Sequence, residues 1–270
     1  MINNFLKKIT PTGWHQIMIK IYTFGVSVRD GVEYYRILCK NLFCAEKEVK
    51  DFKNIPIIIN NFNRVTFPKD LVACLKKRGY HNIHIIDNHS SYPPLIEYYK
   101  NCDCEVYRLK DNLGFKAFQL SGLYKKFRNQ YFVYTDSDIL LTEDCPDDIL
   151  EYFYKLLKSH TFVSKVGCAL KIDDLPDCYA HKEKVQSWEL KFWQNEVSKN
   201  VFQARLDTTF TLYKPNFPVG SSRIGHNLRV AGNYCAIHRP WYIDSQNPDE
   251  EELYYLHSAK TSTFWSKQSR

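Results

Sequence analysis

At 270 residues with 44% hydrophobic side chains, the chain can fill the core of one large domain or two small ones, which excludes disorder over most of its length. Its 37 Lys and Arg against 30 Asp and Glu leave a formal charge of +7. The basic residues are spread out with acidic ones between them, which suits a phosphate-bearing ligand or an acidic surface and argues against a nucleic-acid partner. The nine cysteines include no Cys-x-x-Cys pair, so neither a zinc knuckle nor a disulfide framework is expected, and reduced thiols predict a cytoplasmic protein.

Residues 1–50 read as a helical extension, with Asp30 as N-cap of a helix over 31–40. Their apolar runs fall short of the ~20 residues that span a bilayer, and no secretory h-region with a cleavage site is present. The stretch 14–24 suits an ordinary packed helix, or a peripheral contact with the inner face of a membrane. At residue 51 a main domain begins, expected to extend to 244. Residues 55–59 form a β-branched run of the kind found in strands buried on both faces. That run ends in Asn60-Asn61-Phe62-Asn63-Arg64. A helix over 68–78 closes at Gly79, and a strand over 83–86 runs into Asp87. A helix over 95–100, a strand over 104–109, a helix over 115–127 and a strand over 131–135 follow, the last ending in Asp136. The alternation predicts an α/β fold: a mostly parallel sheet flanked by helices. Residues 51–148 would be its Rossmann-like nucleotide-binding half. The half over 149–244 is less regular and mixed, with strands at 166–172 and 208–213 and a helix at 187–197. A tail over 245–270 reads as a solvated helix with a basic end.

Ligands bind beyond the carboxyl ends of the strands in such sheets, and the polar clusters fall there. Asp136 and Asp138 are two apart, so both carboxylates can face one divalent cation. A turn capped by Asp is the alternative for that pair. Asn61, Asn63, Arg64 and Asp87 can read a base and ribose. Asn112, Gly114 and Lys116 follow the third strand and open a helix, which favours a pyrophosphate.

Three motifs, Ile57-Ile58-Ile59-Asn60-Asn61-Phe62-Asn63-Arg64, Ile85-Ile86-Asp87-Asn88-His89-Ser90-Ser91-Tyr92 and Tyr134-Thr135-Asp136-Ser137-Asp138, resemble in content and order those of GT-A fold glycosyltransferases. The likeness is to family-2-like bacterial members of the surface-polysaccharide type, and it covers residues 54–145 well and the rest loosely. It implies a nucleotide-sugar donor, a UDP-sugar first, bound with Mn²⁺ or Mg²⁺. Asp87 would contact the base, Asp136 the ribose or metal, and Asp138 the metal. It implies a glycan or lipid-linked acceptor in capsule or lipopolysaccharide synthesis. His238 resembles the C-terminal histidine that completes the metal site in several such families. The family's usual Glu-Asp pair is not evident in the second half, so Asp207 and then Glu189 stand as candidates for the base that an inverting transfer needs. Two other readings remain open. A sugar-phosphate nucleotidyltransferase would want a glycine-rich loop after its first strand, whereas residues 60–64 hold no glycine. A non-catalytic glycan- or nucleic-acid-binding domain would bind without metal.

Overall fold

A computed structural model describes residues 28–41, 48–219 and 226–259. The chain divides into one unit of residues 1–46 with 223–225 and a second of 47–222 with 226–270. In the first unit the described residues form one helix, α1, over 28–41. Asp30 therefore lies inside α1 and not at its N-cap, because the helix already runs from residue 28. The stretch 14–24 lies outside the described residues.

The second unit carries β1 (Ile57–Asn61), α2 (Thr66–Lys77), β2 (Ile83–Asp87), α3 (Pro93–Asn101), β3 (Glu105–Arg108), β4 (Phe132–Asp136), β5 (Ile139–Leu141) and α4 (Ile149–Ser159). It continues through β6 (Val163–Cys168), α5 (Lys182–Glu189), β7 (Glu196–Ser198), β8 (Val201–Gln203), β9 (Thr211–Tyr213), β10 (His226–Val230), β11 (Ala236–His238) and α6 (Glu250–Ser258). Nine strands form one sheet in the order β3-β2-β1-β4-β9-β6-β10-β8-β7, and β11 pairs with β5 apart from it. Among the described strands of the large sheet, only β8 and β9 oppose the others. The mostly parallel α/β architecture expected from the pattern is present.

The reason lies in β1. Ile57, Ile58 and Ile59 are fully buried, and alternate side chains enter opposite layers. Ile57 and Ile59 join Ile83, Ile85 and Val133 under Leu71 and Leu75 of α2 and Phe153 and Leu157 of α4. Ile58 packs in the other layer with Ile86, Phe132, Tyr134, Phe118 and Phe127. A one-residue slip in β1 would exchange the layers, so the pairing of Ile57 with both Ile83 and Val133 is strongly specified.

Three expectations change. The helix over 115–127 is broken into Gly114–Lys116, Ala117–Leu120 and Tyr124–Phe127, because Gly122 adopts φ +82 between the last two. The helix expected over 187–197 stops at Glu189. After a 3-10 turn over Leu190–Trp193 the chain enters the β7–β8 hairpin, whose bend uses Asn200 at φ +61, a conformation Asn tolerates. The tail is not merely a solvated appendage: α6 carries a buried Glu251 that bonds to the start of α2. The basic end beyond 259 lies outside the described residues.

Candidate functional site

The carboxyl end of β4 turns through Asp136-Ser137-Asp138 into β5, and β5 pairs with β11 in a register that sets His238 opposite Ile139. That pairing delivers the imidazole to the motif. His238 Nε2 lies 3.4 Å from Asp138 Oδ2, and Arg239 N donates to the Asp138 carbonyl at 2.8 Å. Asp138 Oδ1 and His238 Nδ1 are buried without a hydrogen-bond partner. Burial opposes charge on Asp138, yet the adjacent His238 and the Arg64 guanidinium together hold its carboxyl below the usual range. Asp136 shifts the other way: burial first, then the neighbouring Asp138 carboxylate, raise it, while the Thr208 hydroxyl it accepts pulls it down. Two close carboxylates thus divide into one that ionises readily and one that keeps its proton.

Among the described residues no three or more His, Cys, Asp and Glu side chains are grouped to hold a metal ion. Asp136, Asp138 and His238 are therefore not a closed three-ligand set, and the physical reason is that Asp136 turns to Thr208. Asp138 and His238 do fit a cation that takes its remaining ligands from water and phosphate oxygens, as hard divalent ions commonly do. The unpartnered Asp138 Oδ1 is the structural mark of that fit, since buried polar groups are otherwise paired, and His238 would ligate through Nε2, the ring nitrogen that faces Asp138.

Asn61, Asn63, Arg64 and Asp87 reach the same edge, but much of their bonding capacity is engaged within the protein. Asn61 donates to the Arg64 carbonyl at 2.8 Å and to Tyr99 Oη at 2.9 Å, and accepts from Ser137 Oγ at 2.7 Å. It ties the loop after β1 to the Asp136–Asp138 turn. Asn63, at φ +48, accepts from Ser91 N and Tyr92 N and donates to Ser258 Oγ at 2.8 Å. Asp87 is wholly buried and accepts from Arg108 Nε at 3.1 Å. Arg108 itself is half exposed, so it is the group at this corner that meets solvent. The Arg64 guanidinium lies 3.9 Å from the Tyr255 ring and 4.7 Å from that of Phe67, and it pairs with Glu252. Glu251 takes the backbone N–H groups of Val65 and Thr66 at 3.0 and 3.1 Å. Tyr99, Arg108, Thr208 and the side chains of α6 were not singled out from the sequence; the last of these carried only the signal of an acidic helix.

The pyrophosphate reading of Asn112, Gly114 and Lys116 loses its helix terminus. Only a three-residue 3-10 helix starts at Gly114. Asn112 accepts from Gly114 N at 2.9 Å, and Asn88 braces the loop by accepting from Leu113 N at 2.7 Å and donating to the Gly114 carbonyl at 3.0 Å. Lys116 remains exposed, its ammonium 5.5 Å from the Phe115 ring.

Asp207 and Glu189 part company. Because β9 runs antiparallel to β4 and pairs Thr211 with Tyr134, the strap before β9 ends beyond the carboxyl end of β4. There Thr208 bonds to Asp136, and exposed Asp207 stands beside it. β6 holds the strap from beneath. Lys165 Nζ donates to the Leu206 carbonyl at 2.8 Å, its amine lowered to about 8 by burial against the opposing pull of Asp207. Gly167 leaves room for Leu206 and Thr211, which a methyl group would meet at 2.9 and 2.5 Å. Glu189, by contrast, is buried and spends its carboxylate on Arg229 at 2.7 Å.

No protein-family model and no curated protein matches the chain. Solved structures do overlay on it. They include a mannosyltransferase from Pyrobaculum calidifontis in complex with GDP-Man and Mn²⁺, at 14% identity and TM-score 0.47 over 89% of this chain and 70% of that one. They also include S. aureus TarS 1–349, at 15% identity and TM-score 0.38 over 60% of this chain and 47% of that one. GalNAc-T7 with UDP, GalNAc and Mn²⁺ overlays at 12% identity and TM-score 0.42 over 70% of this chain and 44% of that one. The chain thus spans less than half of the last two. Every one of these TM-scores is below 0.5, so the functional reading rests on the chain's own residues.

Proposed function

We propose that this protein is a GT-A type glycosyltransferase that moves a sugar from a nucleotide-diphosphate donor, UDP-linked in the first instance, to a glycan or lipid-linked acceptor in surface-polysaccharide synthesis. The observation that carries the proposal is the approach of His238 Nε2 to Asp138 at 3.4 Å, with Asp138 Oδ1 buried and left unbonded, beyond the ends of parallel strands where nucleotides bind. A divalent cation held by these two side chains would neutralise the departing nucleoside diphosphate. Around it the chain's own groups have distinct parts. Asp136, oriented by Thr208, faces the ribose or the cation. Asp87 at the end of β2 and Arg108 at the adjacent end of β3 stand on the base side. Asp207, exposed beside Thr208, takes the proton of the acceptor hydroxyl as it attacks the anomeric carbon, which gives inversion.

Calorimetry of UDP and GDP with the purified protein, in Mn²⁺ and in EDTA, tests the reading. Nucleotide binding should require Mn²⁺, and Asp138→Asn and His238→Ala should each weaken it by ~10–100-fold or more, since loss of groups that merely support a ligand already costs that much. Equal binding in EDTA would sink the proposal. Release of pyrophosphate from a nucleoside triphosphate and a sugar phosphate would instead favour a nucleotidyltransferase.

A further inference from the structure

We propose that the exposed surface of the β3–β4 connection docks on an anionic phospholipid bilayer. Residues 108–130 contain six Lys and Arg and a single acid, Asp111. Arg108 is engaged by Asp87 and Lys126 by Glu105, while Lys110, Lys116, Lys125 and Arg128 are all exposed.

Two apolar side chains stand among these cations. In the helical turns of this segment Ala117, Phe118 and Phe127 face inward and are buried with Phe132 and Tyr134. Phe115 and Leu120 face out, 65% and 63% exposed. Isolated exposed apolar residues need no explanation, but these two lie on adjoining turns, Lys116 sits 5.5 Å from the Phe115 ring, and the exposed charges along the segment are basic but for Asp111. This is the composition of an interfacial surface, with apolar groups entering the headgroup boundary and lysines meeting anionic lipid. A nucleic acid would use the cations and the Phe115 ring, yet Leu120 gives it neither a stacking plane nor a hydrogen bond. A bilayer uses both apolar residues and the charges. The surface begins at the loop that Asn88 braces against the end of β2, so its Lys110–Phe115 end lies at the edge of the sheet that carries Asp136 and Asp138, while Lys126, paired with the first residue of β3, marks its other end.

The full chain is tested by co-sedimentation with phosphatidylcholine vesicles, with and without phosphatidylglycerol. It should bind only the anionic vesicles and be released by high salt. Phe115→Ser with Leu120→Ser, and separately Lys110→Glu with Lys125→Glu, should each weaken partitioning by roughly tenfold or more with an unchanged thermal midpoint. Asp138→Asn should partition like the parent protein, so failure of the metal-site reading leaves this one standing. No binding to anionic vesicles, or undiminished binding by the Phe115 and Leu120 variant, would overturn the proposal. So would variants that lose a single-stranded oligonucleotide while keeping the vesicles.

Discussion

Asp136 and Asp138, separated only by Ser137 in the same turn, differ in what surrounds them, and that difference has consequences for titration. Burial and the Asp138 carboxylate raise Asp136, so the folded, metal-free protein holds a proton there that an unfolded Asp would have released. Stability from this group is therefore complete below the ordinary Asp range and falls as pH rises toward the folded value. If Asp136 is the side chain that also faces the cation, binding must expel that proton. Mn²⁺ affinity should then climb as pH rises through about 8, with up to one proton released per ion, measurable by calorimetry in buffers of different ionisation enthalpy. Thr208→Val removes a bond that lowers Asp136, so its affinity curve should move to higher pH. The candidate bases separate at the same scale. Glu189→Ala strands Arg229 without its buried partner and should cost ~3–5 kcal/mol in denaturant unfolding. Asp207→Asn, on an exposed carboxylate, should leave stability within about 0.5 kcal/mol and lower turnover by ~10²–10⁴-fold.

Elements, more than single residues, decide what the sequence made legible. The strands β1, β2 and β4 were readable because a β-branched or aromatic run ends directly in the polar residues of the site, so the signal is local. The strap over 204–210 was not readable, because its path depends on β9 entering the sheet between β4 and β6, a pairing no nearby residue announces. Its support is equally non-local. In Gly167→Ala the added methyl meets Thr211 Cα as well as its hydroxyl, and backbone cannot step aside as a side chain tip can. That variant should lose ~1–3 kcal/mol and, by displacing Thr208, weaken Mn²⁺ binding as well. The central helices α2 and α3 were plain from their spacing and proline. Gly122 concealed the break in the segment before β4, since one glycine is compatible with a helix or with its end.

At the scale of the molecule, the parallel arrangement of the sheet and its functional edge follow from the order of strands and helices. The groups that complete that edge come from far along the chain. His238 was legible through family resemblance alone, because its meeting with Asp138 depends on the β5–β11 ribbon. Helix α6 was misjudged because its acidic run looks like a face turned to water, whereas Glu251 and Glu252 are consumed by α2 and Arg64. Deleting residues 249–270 should leave the sheet folded and free the loop after β1, seen as faster amide exchange at Asn63 and Arg64. The bond from Asn63 to Ser258 also sets an order of events during synthesis. A ribosome that has delivered every strand of the sheet has still not delivered the helix that fastens its working edge. A chain lost to early termination or to clipping near its end would therefore persist as a folded body with the first loop unlatched, and a stability assay alone would miss the damage.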